Sequence, residues 1–561
     1  HKALSIWINL FGKDHPNVAY AYNNIAIDHA LKNEYDLALE YFQKSLDIRL
    51  PIMGEENSII VISYTNFGDL YTKKEDYKKA LEYYDKALNI GLKVMGKYHP
   101  SIAELYLSIA VINYEEKDFN NALINCQNAF KSLVNNFEND SVNINPSLQQ
   151  INSELHLLKG LSIKAKIFTG ISEQSEGNNL TDEINNLGLA LSTYQLAVDL
   201  IDKIHTGYKS EGSKLFLGEE TSEIYDQAIQ TSLKLYEITN DEKYFSQAFD
   251  ITEKSKAAVL QKGLYEIEAK QFGKIPAELL EDEKQLRIDL VSYDTELQNE
   301  LTKKESTDSF KINEYQNKIF DLKTKYDVLI SGFEKNYPEY YNLKYQTRSV
   351  SILEIQKQLD ENTVLAEYFV GDSLIYVFTI SKNGNNVITI QKPDNFSEIV
   401  KNFYTSILKT ETEKYISSGN ELSKLIVFPI NDKTKSKEKL IIIPHDILFK
   451  IPFEALFTSE QKSTDYAKLN YLINSFDISY HYSSALYVDN LKKEKEKILE
   501  NSTKNFVGFA PVFPKNDITG YTLASRSEEN NSQLDDELRF SLFEGNKYNE
   551  LKYSKWEVES I

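Results

Sequence analysis

The sequence predicts an all-α solenoid with a helical hairpin, followed by an incomplete α/β domain. Three observations carry that prediction. A period of 42 residues repeats in register over residues 11–136, and an apolar stripe with steps of three and four runs from Leu286 to Phe333. Beyond Pro338 the apolar pattern changes from the helical to the extended period. Composition permits large cores: of 561 residues, 41% are hydrophobic and 26% charged, close to the globular average.

The repeat comes first in the chain. Phe11–Ile52, Met53–Val94 and Met95–Asn136 align without gaps, with Gly12, Gly54 and Gly96 in one column. Tyr22, Tyr64 and Tyr106 share a second column, and Ala38, Ala80 and Ala122 a third. Each copy reads as two helices. The glycine ends the preceding helix, and His15-Pro16 or His99-Pro100 starts the next, because proline suits a first helical turn. Small residues such as Ala26, Gly68 and Ala110 let two backbones approach, with aromatics beside them. With Tyr22, Ile25, Ala26, Tyr35, Ala38, Phe42 and Ser45 at signature positions, the pattern resembles the tetratricopeptide repeat. The longer period and the G-x-x-H-P opening are similar to the repeats of kinesin light chain and of many bacterial proteins. The resemblance implies a groove for a protein or peptide partner, with Tyr20, Asn23, Ile62, Thr65, Glu104 and Leu107 as groove-facing candidates. These residues include no basic cluster, so capture of a partner's C-terminal carboxylate is not expected. Cys126 falls in the column of Phe42 and Tyr84, a core position where a thiol is buried and protonated.

Residues 138–145 are polar and read as a linker. Helices are expected at Pro146–Thr169, Asp182–His205, Glu219–Ile238 and Glu242–Glu268, with polar breaks at Glu173–Thr181 and Tyr208–Ser213. Leu286, Leu290, Tyr293 and Leu297 then face Ile312, Tyr315, Ile319, Leu322, Tyr326, Leu329 and Phe333 across a break at Ser306–Asp308. That spacing predicts a long antiparallel hairpin acting as spacer or lever.

In the last third, Val364–Val370, Leu374–Ile380 and Val387–Gln391 read as strands, with turns at Gly371-Asp372 and Asn383–Asn386. Leu440–Ile443 and Phe506–Phe509 are short apolar runs of the kind found in buried, mostly parallel strands. A surface loop is expected between Lys515 and Glu550, with a regulatory or processing role as one hypothesis. Six segments in order then resemble the CHAT family of caspase-like domains: Glu253-Lys254-Ser255-Lys256-Ala257; Tyr337-Pro338 with Tyr340 and Leu343; Leu365–Phe369; Leu440–Leu456; Tyr471–Ser484; and Phe506–Phe513 with Leu551–Ile561. The resemblance spans about residues 240–561.

The family implies a cysteine peptidase with a His–Cys dyad, in which imidazole activates a thiolate for attack on a peptide carbonyl. In such proteins both residues lie beyond the segment matching Leu551–Ile561, so no residue of this chain is assigned a catalytic role and the chain itself is expected to be inactive. His445 and His481 have no cysteine partner and read as structural. Ser483-Ser484 near His481 lacks the third residue and oxyanion donors of a serine site. The chain opens at His1 with what reads as the end of a helix already under way, so a fragment is expected.

The organisation expected is repeats over 1–136, further helix pairs over 137–275, the hairpin over 276–336 and a partial CHAT domain over 350–561. The function expected is a partner-sensing scaffold gating a caspase-like peptidase, or else a non-catalytic adaptor with a degenerate caspase-like module. The 63 basic and 84 acidic residues leave a net charge of −21, which argues against direct nucleic-acid binding. No apolar run approaches the ~20 residues of a membrane span. A single cysteine excludes a disulfide framework or a Cys-based zinc site, and with the family resemblance it suggests a bacterial, cytoplasmic protein. No cofactor or metal is expected.

Overall fold

Each repeat copy folds as an antiparallel helix pair whose ends are set by its own residues. The structure, a computed structural model, describes residues 2–177, 179–206, 211–256, 275–302, 309–338, 340–341 and 349–499. After α1 (Lys2–Phe11), Gly12 takes φ +85°, a left-handed value that ends the helix; Gly54 and Gly96 do the same at +76° and +80°. His15 caps α2 (Pro16–Leu31), its Nδ1 accepting the Asn17 amide at 3.2 Å, and His99 caps α6 (Pro100–Glu115) likewise. The His-Pro pair therefore supplies both a cap and a first-turn residue that has no amide to satisfy. Where the second copy lacks it, Asn57 caps α4 (Ser58–Lys73). The second helices are α3 (Tyr35–Met53), α5 (Tyr77–Val94) and α7 (Phe119–Leu133).

The middle of the chain departs from expectation at several boundaries. The next helix, α8 (Glu154–Ser175), starts well after Pro146, because residues 134–151 fold back as an ordered excursion closed by a Val134–Ile151 bridge. Residues 138–145 are therefore no free linker. Gln127 Nε2 and Lys164 Nζ both donate to the Ile144 carbonyl, at 3.3 and 2.9 Å, and Gln127 also holds the Asn139 carbonyl. The polar break after α8 is shorter than expected, since the helix runs on to Ser175. Then come α9 (Leu180–Thr206), α10 (Glu211–Thr239) and α11 (Glu242–Ser255). The expected end of the last helix at Glu268 and the break at Tyr208–Ser210 lie outside the described residues, while Glu211 and Ser213 are already helical.

The hairpin is α12 (Ala277–Thr302) and α13 (Ser309–Asn336), with Leu290, Ile319 and Tyr326 at its buried seam and Leu286, Tyr293, Leu297 and Leu322 packed around them. The break at Ser306–Asp308 lies outside the described residues.

After the short α14 (Ile352–Gln356), five strands among the described residues form one mixed sheet in the order β3-β2-β1-β4-β5: β1 (Thr363–Val370), β2 (Leu374–Ser381), β3 (Gly384–Gln391), β4 (Lys439–Ile443) and β5 (Asp477–Tyr480). The first three pair antiparallel, while β1–β4 and β4–β5 are parallel. Asn385 and Asn386 belong to β3 rather than to the turn, paired with Ile380 and Thr379. The period of two sorts the strands cleanly. Val364, Ala366 and Tyr368 face α15 (Phe396–Lys409) and α16 (Thr412–Ile426). Leu365, Phe369, Phe378 and Ile443 face the helical array. The run Phe506–Phe509 lies outside the described residues, as do Phe506–Phe513, Leu551–Ile561, the expected loop at Lys515–Glu550, Ala257 and Leu343.

Residues 1–491 are one compact unit, and a single apolar cluster runs from Ala103 in α6 to the sheet and on to Val488 in α17 (Ser484–Leu499). Its bridge is α10–α11. Phe245 and Phe249 of α11 set their rings against Phe378 at 5.7 and 5.6 Å, and Asp226 of α10 accepts the Asp372 amide in the β1–β2 turn. The last helices of the array are thus one covering layer of the sheet.

Candidate functional site

Two places concentrate polar groups: the repeat groove and the joint between α11 and the sheet. In the groove, Tyr20 and Thr65 are half-buried, Ile62 is exposed, and Asn23 is buried. Asn23 meets two groups that come from other helices. Its Oδ1 accepts from Asn66 Nδ2 at 3.0 Å and from Arg49 Nη1 at 3.5 Å, and Arg49 Nη1 also donates to Ser63 Oγ at 2.9 Å. The third copy is different. Leu107 is fully buried, packed under Gly160 of α8 beside Phe130, so it is core and does not face a groove. Glu104 is engaged by α8 as well, with His156 Nε2 at 3.6 Å and Lys159 Nζ at 3.9 Å. The neighbouring His156 imidazole holds its carboxyl below the usual range. The physical reason is that α8 stacks on α6 and α7 and covers that position.

At the joint, every group is buried. Lys256 Nζ lies 3.2 Å from Glu367 Oε1 of β1 and 3.4 Å from the Ile443 carbonyl of β4. Glu367 Oε2 accepts from Ser484 Oγ at 2.6 Å. Glu253 accepts the backbone amides of Ser484 and Ala485, at 2.8 and 2.9 Å. A carboxylate on the first two amides of α17 satisfies orphan donors and meets the positive end of the helix. Burial, then the neighbouring Glu367, pushes the Glu253 carboxyl well above its ordinary range, and burial pulls the Lys256 ammonium down. Sequence reasoning placed Glu253, Lys256, Glu367 and Ser484 in family-like segments but did not bring them together. The signal for Glu367 was one charge inside the apolar run of β1.

No described arrangement supports nucleophilic catalysis. Burial pushes the Cys126 thiol up to about 12. His445 Nδ1 accepts the Val370 amide at 3.1 Å, its ring stacks on Phe369, and burial pulls it down to about 3, so it is no base near neutral pH. His481 is half-buried against Tyr487 and also lowered by burial. Ser484 Oγ is committed to Glu367 and Ser483 Oγ accepts the Leu486 amide. Among the described residues no group of three His, Cys, Asp or Glu could hold a metal ion.

The hairpin packs back on the array around a cleft of about 1280 Å³, lined among others by Asp199, Lys203, Lys254, Lys323 and Asp327. Its charges are matched, Lys254 with Asp199 at 3.1 Å and Lys203 with Asp327 at 3.9 Å.

Stacked helix pairs leading into a covered mixed sheet define a helical-repeat protein with an appended α/β domain, and the comparisons with known families specify both parts. The tetratricopeptide repeat model matches residues 1–50 and 60–128, and the CHAT domain model matches residues 417–560. The chain carries tetratricopeptide repeats and a CHAT domain. Repeats of this kind point to a protein-interaction scaffold, and the CHAT domain to a caspase-like, peptidase-related region.

Among solved structures, BtubC (BKLC) from P. vanneervenii is 15% identical over 32% of this chain and 65% of that one, at a TM-score of 0.26. The chain therefore spans just under two thirds of that structure. YrrB, described as a tetratricopeptide protein with an unusual peptide-binding site, is 18% identical over 48% and 98%, at 0.25. PilF of Pseudomonas aeruginosa is 11% identical over 59% and 97%, at 0.26. No curated protein matches. Among the described residues no helix is long and apolar enough to cross a membrane.

Proposed function

We propose that the chain is a partner-sensing scaffold that gates a caspase-like cysteine peptidase, with a protein or peptide bound by the first repeats. The dyad of that peptidase is not drawn from this chain, whose only cysteine is the buried Cys126. The observation that carries the reading is the joint. The last helix of the array is built into the sheet, and its Glu253 and Lys256 hold β1, the end of β4 and the start of α17. A change of tilt in the array thus reaches the CHAT region through α11 by direct packing, which favours this route over the hairpin, whose seam is largely its own. Buried polar groups with two discrete arrangements carry coupling better than apolar contacts that slide.

Amide exchange tests the coupling. Gly68→Ala disturbs only the second copy in the first instance, and it is expected to speed exchange in β1 and α17 as well as in α4. Effects confined to the repeats would overturn the gating reading and leave an adaptor. The peptidase part is tested on a longer gene product. Thiol-dependent peptide cleavage abolished by Cys→Ala is expected, and a product without such cleavage would reject it.

A further inference from the structure

The helical hairpin meets the array without joining its core. Its two apolar clusters, one around Leu290 and Ile319 and one around Phe333 and Tyr340, draw on α12, α13 and the residues flanking them. The large cluster that runs from α6 to the sheet takes no described residue from either helix. The ties across the gap include two long ion pairs, Lys203 of α9 with Asp327 of α13 at 3.9 Å and Lys323 of α13 with Glu154 of α8 at 4.0 Å. Burial raises the Asp327 carboxyl, although both lysines oppose the shift. The gap is therefore a polar seam whose carboxylates are short of cations.

The cleft along this seam has a volume of about 1280 Å³, above the roughly 300–1,000 Å³ of ordinary ligand pockets. Its lysines are matched, but the carboxylates outnumber them, six against three among the described lining residues. Lys254 of α11 serves two of them, Asp199 at 3.1 Å and Asp250 at 3.6 Å. The acids stand on both walls, Asp250 on the array side and the exposed Glu334 on the hairpin side. Among the described residues no three of them converge on a point that a metal ion could fill. Leu148, Ile204 and Ile330 lie in the same lining. Separated negative charges with aliphatic surface between them suit positive charges spaced along an aliphatic chain, whose methylenes cover that surface.

We propose that this cleft binds a ligand bearing several primary ammonium groups on aliphatic chains, which bridges the two walls and clamps the hairpin onto the array. The site is separate from the repeat groove and does not depend on the gating reading. One consequence does rest on that reading. Asp250 and Lys254 face the cleft from α11, the helix whose Glu253 and Lys256 hold the sheet, so the clamp would also steady β1.

Spermine, whose amines are protonated at neutral pH, is the first probe, titrated into the full chain by calorimetry. A saturable heat is expected with Kd below about 1 mM, and its absence overturns the site. Asp250→Asn with Glu334→Gln should weaken binding about fivefold or more, because each removes one partly exposed carboxylate. Glu56→Gln with Glu82→Gln makes the same change of charge on exposed positions of the repeats and should leave binding unchanged. Equal losses in the two double variants would show a diffuse attraction to an acidic chain and overturn the site. Magnesium chloride at matched ionic strength should leave the heat in place, and a heat abolished by it would overturn the need for spaced charges. N-acetyl-tetralysine amide divides the sources: tighter binding than spermine assigns a lysine-rich protein segment, weaker binding a free polyamine. Amide exchange reads the clamp. Slower exchange in α12 and α13 with spermine is expected, and unchanged exchange there rejects the clamp. A protected hairpin with unchanged β1 keeps the site and counts against the gating reading.

Discussion

Lys164 in the array and Lys256 at the sheet are both buried ammonium groups, with opposite surroundings. Lys164 sits over the Phe130 ring and is held by neutral oxygens, Gln127 Oε1 at 3.3 Å and the Ile144 carbonyl at 2.9 Å. Lys256 faces two buried carboxylates, Glu367 and Glu253, that reach it from different elements. The first arrangement is local: it fastens one excursion of the chain and leaves the cation pulled down to about 8. The second ties three elements together and makes each charge dependent on the others. Buried charges with neutral partners shape a region, whereas opposed buried charges couple regions.

The largest expected effect is therefore at the joint. Lys256→Met leaves the buried Glu367 carboxylate without its cation and is expected to cost about 3–5 kcal/mol, read by urea denaturation. Adding Glu367→Leu should restore at least half of the loss, since a well-packed apolar pair often replaces a buried ion pair at little cost. Full additivity of the two substitutions would show that the groups are not coupled.

Lys164 gives the contrasting case, and its sign follows from the depressed pKa. Below about pH 8 the folded protein carries the ammonium at full desolvation cost, and the unfolded chain binds the proton more readily. Stability therefore rises with pH from about 8 to the ordinary lysine value near 10.4, by up to about 3 kcal/mol. Lys164→Met should lack that rise. Subtracting its unfolding free energy from that of the wild type at several pH values isolates the effect from the titrating tyrosines, and a flat difference would reject it.

Within the repeats, Gly68→Ala is the sharper local probe. A Cβ there would collide with the Tyr84 ring, whose hydroxyl is tied to Asp69 at 2.7 Å and so resists displacement. A loss of about 1–3 kcal/mol is expected in thermal unfolding.

The same division explains what could be read from the chain. The repeats are legible because their determinants are adjacent: a glycine, a cap, and small residues facing aromatics at fixed spacing. Strands β1 to β3 are legible because Gly371 and Asn383 mark their turns. Leu107 was misplaced because the helix that covers it, α8, no longer carries the repeat register. Residues 138–145 looked free because the groups that fasten them, Gln127 and Lys164, lie on two neighbouring helices. Strand β5 has no apolar run and exposes most of its length, so its pattern is silent. The joint is the least legible, since Ser484 finds Glu367 across 117 positions and Glu253 across 231. Only Glu367, a charge within an apolar strand, advertises that a partner exists.

The smallest expected effect closes the comparison from the other side. Lys93 and Glu56 lie 3.2 Å apart within the second copy, but both are about two thirds exposed. Coulomb attraction there is weakened by water and salt, and ordering two long side chains offsets most of the remainder. A double-mutant cycle with Lys93→Ala and Glu56→Ala is expected to give a coupling below about 0.5 kcal/mol that vanishes at high salt. The same cycle at Lys256 and Glu367 should be several times larger and barely sensitive to salt, because no mobile ion reaches a pair of this burial. Similar couplings at both sites would mean that charge holds the repeats as firmly as the joint, and α11 would lose its claim to be the coupling element.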